Sequence, residues 1–141
     1  MPNSNSCSYN ILVTGSNGQV GSEIKELEKD YPYNFFFTTR NDLDITSKDS
    51  LRNFCKTNNI NVIINCAAYT AVDKAESDEL NADLVNRKAV KKLSIIAKEL
   101  NIKLIHISTD YVFDGKNFKP YVEEYKTNPQ SVYGKSKLDG E

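Results

Sequence analysis

Two residues able to move a proton stand four apart near the end of the chain: Tyr133 and Lys137, in VYGKSKLDGE. On a helix that spacing puts both side chains on one face. An ammonium there stabilises negative charge on the phenol oxygen, and Tyr133 can then hand a proton to a carbonyl oxygen. Thr109 follows the apolar run KLIHIS and can offer a hydroxyl to the same oxygen. The C-terminal ends of strands are where ligand sites of open α/β sheets form. Taken alone the Y-x-x-x-K pair is a weak signal, since both residue types are common on surfaces.

A second group strengthens it. Gly15, Gly18 and Gly21 form G-x-x-G-x-x-G directly after the apolar run YNILVTG and before an amphipathic stretch. In a strand–turn–helix, the first glycine permits the tight turn and the second lets the backbone approach a pyrophosphate. The third lets the helix pack closely on the strand, and free N–H groups at the helix start hold the anion. The pattern predicts dinucleotide binding. Where such sites commonly carry an acid for the adenosine ribose, this chain has Thr38, Thr39 and Arg40. A cation there suits a 2′-phosphate and favours NADPH over NADH, with a solvated surface arginine as the competing reading. Asp44 either contacts the adenine side or caps a turn.

These groups need a frame, and the apolar pattern supplies one. Strands are expected at 9–15, 34–39, 61–68 and 103–108, and helices at 20–30, 47–58 and 79–100. Val20, Ile24 and Leu27 should face inward on the first helix, and Leu51, Phe54 and Cys55 on the second. Leu84, Val85, Val90, Leu93, Ile96 and Ala97 should do so on the third. Strands alternating with helices imply a parallel sheet covered on both faces, a doubly wound α/β fold. The Phe35–Phe37 triplet reads as strand core, and His106 as a satisfied core or sheet-face residue. Residues 109–131 form a long irregular stretch of the kind that is often functional. Another helix starts near Val132 and the sequence ends inside it, which reads as a truncation.

Composition narrows the classes. The 141 residues suggest one domain, with 39% hydrophobic and 26% charged residues and a net charge of −1. Charges of both signs are scattered without a basic patch, which argues against nucleic acid. Lys88, Lys91 and Lys92 read as a solvated helix face. Asp73, Lys74 and Glu76 either start a helix or face a partner subunit. No apolar run reaches membrane-spanning length, and the polar N-terminus is not a signal peptide, so a cytoplasmic location is expected. Residues 1–8 should be flexible and residues 9–141 the folded domain. Cys7, Cys55 and Cys66 match no metal spacing, and the latter two read as buried thiols.

The segments VTGSNGQVG, NCAAYTAVDKAE, HISTDYVFDG and VYGKSKLDGE resemble the extended short-chain dehydrogenase/reductase family. More narrowly, over almost all of residues 9–141, they are similar to the dTDP-4-dehydrorhamnose reductases. The resemblance implies a Rossmann-type domain, truncated before a C-terminal substrate domain. It implies that the complete protein reduces the 4-keto group of a nucleotide-sugar in dTDP-rhamnose biosynthesis, and that the chain by itself turns over little or nothing. Tyr133 would be the proton donor, Lys137 its support on the nicotinamide ribose, and Thr109 the third member. Asn17, Gly18, Gln19 and Val20 would lie on the pyrophosphate, Asp44 and Ile45 at the adenine, and Ala67, Ala68 and Tyr69 along the cofactor. Thr109 and Asp110 would meet the substrate sugar. Some relatives form homodimers around a magnesium ion held by glutamates, and Glu23 matches one such position. Cys66 stands where alanine is usual. Rival readings on this scaffold are a nucleotide-sugar epimerase or dehydratase, and a non-catalytic partner such as the methionine adenosyltransferase beta subunit. Tyr111 in place of a second acid argues against a dehydratase, and the intact Tyr133, Lys137 and Thr109 favour an enzyme.

Overall fold

The computed structural model describes residues 9–141; the expected flexible segment 1–8, with Cys7, lies outside the described residues. The chain runs β1 (Asn10–Thr14), α1 (Gln19–Leu27) with a 3₁₀ turn (Glu28–Asp30), β2 (Asn34–Thr38), α2 (Lys48–Thr57) and β3 (Val62–Asn65). It continues through α3 (Val72–Ala75), α4 (Glu79–Asp83), a π-helical stretch (Leu84–Ala89), α5 (Val90–Glu99) and β4 (Lys103–His106). A 3₁₀ turn (Asp110–Val112) and α6 (Val132–Leu138) complete it. The strands are shorter than their apolar runs, because the last residues of each run leave the ladder and become loop.

The four strands are parallel in the order β2-β1-β3-β4. The chain leaves β1 toward one edge and later resumes on its other side, so the direction of winding reverses between β1 and β3. Right-handed crossovers then put α1 on one face and α2 with α5 on the other. Leu12 and Ile63 of the sheet bury against Leu51 and Cys55 of α2 and Leu93 and Ile96 of α5 in one cluster. Each of these leucines and isoleucines, fully buried, contributes about 1.5–3 kcal/mol. Lys48 and Arg52 of α2 both reach Glu99 of α5 at the rim. Ser47 caps α2, its Oγ accepting from Ser50 N–H at 3.3 Å.

The opposite face is thinner than the apolar pattern suggests. Lys25 of α1 lies over the Phe37 ring, and Phe35 stacks on Phe37 with centroids 5.7 Å apart. All three phenylalanines of β2 are only half-buried, because β2 is an edge strand rather than a central one. On α1 the expected inward stripe fails: Val20 is 44% and Leu27 49% exposed, and Gly21 is the buried residue. The helix seats on its glycine, and its start overhangs the cleft instead of packing flat. Ile105 of β4 is 49% exposed on this face.

The third expected helix is present but not regular. One wide turn over Leu84–Ala89 separates α4 from α5. An i→i+5 turn rotates the following residues, and such turns recur at functional sites. Here it buries Asn86, while Leu84 and Val85 stay half-buried.

Candidate active site

The turn after β1 is built on glycine for steric reasons. Gly15 has φ +67°, and an added Cβ would stand 2.6 Å from the Ala67 nitrogen in the loop after β3. Gly18 precedes α1 in extended conformation with no side-chain cap, and its N–H donates to Gly15 O at 3.0 Å. The first N–H groups of α1 therefore have no partner within the helix. Gly21 has a different role. Its missing Cβ would fall 2.6 Å from Gly15 O, so it lets helix and turn touch and does not line the cleft.

A cavity of about 1170 Å³ opens where the winding reverses, at the C-terminal ends of the strands. Gly15, Asn17, Gly18, Gln19 and Val20 form its floor at the start of α1. Arg40, Asp44 and Ile45 line one end, and Ala67, Ala68 and Tyr69 the wall after β3. Tyr133 and Lys137 close the other end. Segments far apart in sequence thus share one cleft, as a dinucleotide requires. Among the described residues Arg40 forms no ion pair. Asp44 does cap a turn, its Oδ1 accepting from Thr46 N–H at 2.8 Å and Thr46 Oγ–H at 2.7 Å.

Tyr133 and Lys137 ride on α6. Ser131 caps this helix, its Oγ accepting from Gly134 N–H at 3.0 Å, and Glu76 accepts from Val132 N–H at 2.9 Å. Tyr133 is 8% exposed and meets Tyr111 edge-on at 5.5 Å between centroids. Gly134 lies against the Tyr111 carbonyl with no room for a Cβ. Lys137, 2% exposed, donates from Nζ to the Ile107 carbonyl at 2.6 Å. Burial pushes its pKa below the usual lysine value, and Glu141 opposes that shift.

Thr109 and Asp110 are not among the residues lining the cavity. The Thr109 hydroxyl accepts from Tyr111 N–H at 3.3 Å and donates to Asp110 Oδ1 at 3.3 Å, capping the 3₁₀ turn. Ser108, one residue earlier, faces the cleft.

Several site residues escaped sequence reasoning. Asn86 is one: its Oδ1 accepts from Tyr69 N–H at 2.8 Å, and its Nδ2 donates to Tyr69 O and Ser136 Oγ, both at 3.0 Å. It joins the π stretch, the loop after β3 and α6. A polar row under the cleft is another. Thr14, Asn65 and His106 stand in register on β1, β3 and β4. Thr14 Oγ donates to Asn65 Oδ1 at 2.6 Å, and Asn65 Nδ2 lies 3.0 Å from His106 Nδ1. That order makes Nδ1 an acceptor and leaves the ring proton on Nε2. The Nε2 is buried without a partner among the described residues, so His106 is a sheet residue but only half satisfied. Polar residues ending three successive apolar runs were the available signal.

Cys55 is buried, and burial raises its thiol pKa to about 11. Cys66 is only half-buried and lines the cleft, since it lies just past the end of β3. Glu23 is exposed on α1, and the described residues contain no group of three or more His, Cys, Asp or Glu placed to hold a metal. No helix among them is long and apolar enough to cross a membrane.

Comparison with known proteins shows the family and the fold. Residues 9–141 match the family described as the RmlD substrate binding domain. The dTDP-4-dehydrorhamnose reductase of Sinorhizobium fredii is 41% identical over 131 residues, covering 93% of this chain and 44% of that protein. The crystal structure of a dTDP-4-dehydrorhamnose reductase from Clostridium acetobutylicum superposes with a TM-score of 0.89 at 44% identity, covering 93% of this chain and 47% of that one. One from Bacillus anthracis, solved in complex with NADP, gives 0.90 at 32% identity over 94% of this chain and 47% of that one. The chain spans a little under half the length of these relatives.

Proposed function

The chain belongs to the RmlD substrate binding domain family, and on that premise we propose that it is the NADPH-binding, proton-donating part of a nucleotide-sugar 4-ketoreductase. The observation that carries this is the convergence of the glycine turn, Arg40, Tyr133 and Lys137 on one cleft at the reversal of the sheet. The site fits a dinucleotide on its own chemistry. Gly18, where an added Cβ would stand 3.3 Å from Gly15 O, keeps the start of α1 clear, and N–H groups and the helix dipole there favour a pyrophosphate. Arg40, without an ion pair among the described residues, offers its guanidinium to a 2′-phosphate. Ala67, Ala68 and Tyr69 would flank the cofactor, Ile45 and Asp44 the adenine.

Bound NADPH would supply the hydride to the carbonyl carbon of dTDP-4-dehydro-L-rhamnose. The rest belongs to this chain. Tyr133 gives its phenolic proton to the carbonyl oxygen as charge develops there. Lys137 favours the phenolate left behind and holds the ribose. Thr109 and Asp110 contact the sugar, which requires the Thr109 hydroxyl to turn its proton away from Asp110 Oδ1. Two complete chains would pair with Glu23 as a magnesium ligand; sedimentation with and without magnesium tests this pairing.

Calorimetric titration with NADPH and NADH, beside Gly18→Asp, is the decisive experiment. The expected outcome is binding that prefers NADPH and disappears in the variant, where a carboxylate fills the pyrophosphate space. Equal heats for wild type and variant would sink the reading.

A further inference from the structure

Just past α6 the chain continues in tight turns, Glu141 N–H donating to Leu138 O at 3.1 Å. Gly140 N–H donates to Lys137 O at 3.1 Å, and Gly140 lies so close to the Asn86 carbonyl that a Cβ would overlap it. That contact aims Glu141 at the end of β4, where its Oε1 accepts from Ser108 Oγ–H. The residue before Ser108, Ile107, accepts from Lys137 Nζ at 2.6 Å. Adjacent residues past β4 therefore hold the lysine, on α6, and the glutamate, three residues past its end.

Lys137 needs such help. An ammonium removed from water loses hydration that one carbonyl does not replace. His106 faces it from β4 and is neutral, since burial holds its pKa below the usual histidine value. Tyr133 shares its helix. Arg87 is committed to Asp83, and Asp139 to Lys135. Among the described residues Glu141 is the carboxylate that faces Lys137 without being paired to another cation.

We propose that Glu141 is a positioning residue: through Ser108 it pins the end of α6 to the end of β4 and keeps Lys137 seated on the Ile107 carbonyl as the charged ammonium. The consequence for catalysis rests on the reductase reading; the contact does not.

The test is the titration of Lys137 itself, followed by NMR in chain labelled at the lysine ε-carbon and assigned with Lys137→Arg. Glu141→Gln should lower the midpoint by about one pH unit, as loss of a nearby opposite charge does. Ser108→Ala should lower it less, and Glu141→Asp should restore part of the shift. NADPH affinity of Glu141→Gln should match wild type near neutral pH and fall several-fold where Lys137 has lost its proton. An unmoved midpoint in folded Glu141→Gln overturns the proposal, whatever NADPH does. If Glu141→Gln does not fold, an unmoved midpoint in Ser108→Ala overturns it equally. Failure of the wild-type chain to bind NADPH would remove the reductase reading and leave the lysine titration to decide this one.

Discussion

Asn86 closes its amide on both sides of the Tyr69 peptide and reaches Ser136 with a proton left over. An alanine there leaves the Tyr69 N–H and carbonyl short of partners in a partly buried place, at about 1–3 kcal/mol for each group left unsatisfied. Asn86→Ala should lower the urea midpoint accordingly and weaken NADPH binding by loosening the Tyr69 wall; an unchanged midpoint would show that water replaces the amide. His106 makes a pH prediction at the same scale. Burial lowers its pKa from 6.5, so below that value the unfolded chain takes up a proton that the folded chain resists. Its contribution is therefore fully present above 6.5 and is lost as pH falls through the lower folded value. Between about pH 7 and pH 5, stability should fall more steeply in wild type than in His106→Gln. Parallel slopes would contradict the buried neutral histidine. Asn86 did not announce itself, and His106 announced only a place in the sheet. A lone asparagine in a helix and a lone histidine in a strand have many ordinary explanations, and only their partners on other segments single them out.

At the scale of elements, α6 is the vulnerable piece. It is seven residues long and carries both Tyr133 and Lys137. So short a helix is not stable alone and depends on its cap and its docking. Ser131→Ala removes the bond to Gly134 N–H and should cost about 1 kcal/mol. Gly134→Ala drives a methyl against the Tyr111 carbonyl and should cost about 1–3 kcal/mol, with a larger loss of NADPH affinity because the pair moves as a unit. Thermal melts and calorimetry on both variants check this; Gly134→Ala with wild-type values would mean that α6 docks elsewhere. The helix at 48–57 was legible from the spacing of Leu51, Phe54 and Cys55, whereas the serine caps of α2 and α6 emerged only from the structure. The inward face of α1 was not legible. Periodicity reports an apolar stripe, but the close contact at Gly21 decided which residues the helix buries. The π stretch was equally silent, since one wide turn leaves the apolar spacing almost intact.

For the whole molecule, the proposed cofactor joins segments that the chain keeps apart: the turn at 15–20, the end of β2, the loop after β3 and α6. A ligand that binds only the folded form stabilises it, by about 2.7 kcal/mol at a hundredfold excess over Kd. NADPH should therefore raise the melting temperature of the chain, and Gly18→Asp should abolish that rise without lowering the melt in its absence. A melt indifferent to NADPH would set the cleft aside as its site.

The sequence by itself determined the strand–helix alternation, the parallel sheet, the glycine turn, the Tyr133–Lys137 pair and the family. All of these are written in local spacing, which the backbone period translates directly into faces and turns. Tertiary structure alone decided what meets what. It turned Val20 outward, opened Cys66 to the cleft and put Ser108 on the wall where Thr109 was expected. It also aligned Thr14, Asn65 and His106 into one row and set Glu141 against Ser108. Those outcomes depend on register between strands and on the seating of helices at close contacts. No single segment carries that information, because each contact is fixed by two pieces of chain folded against a third.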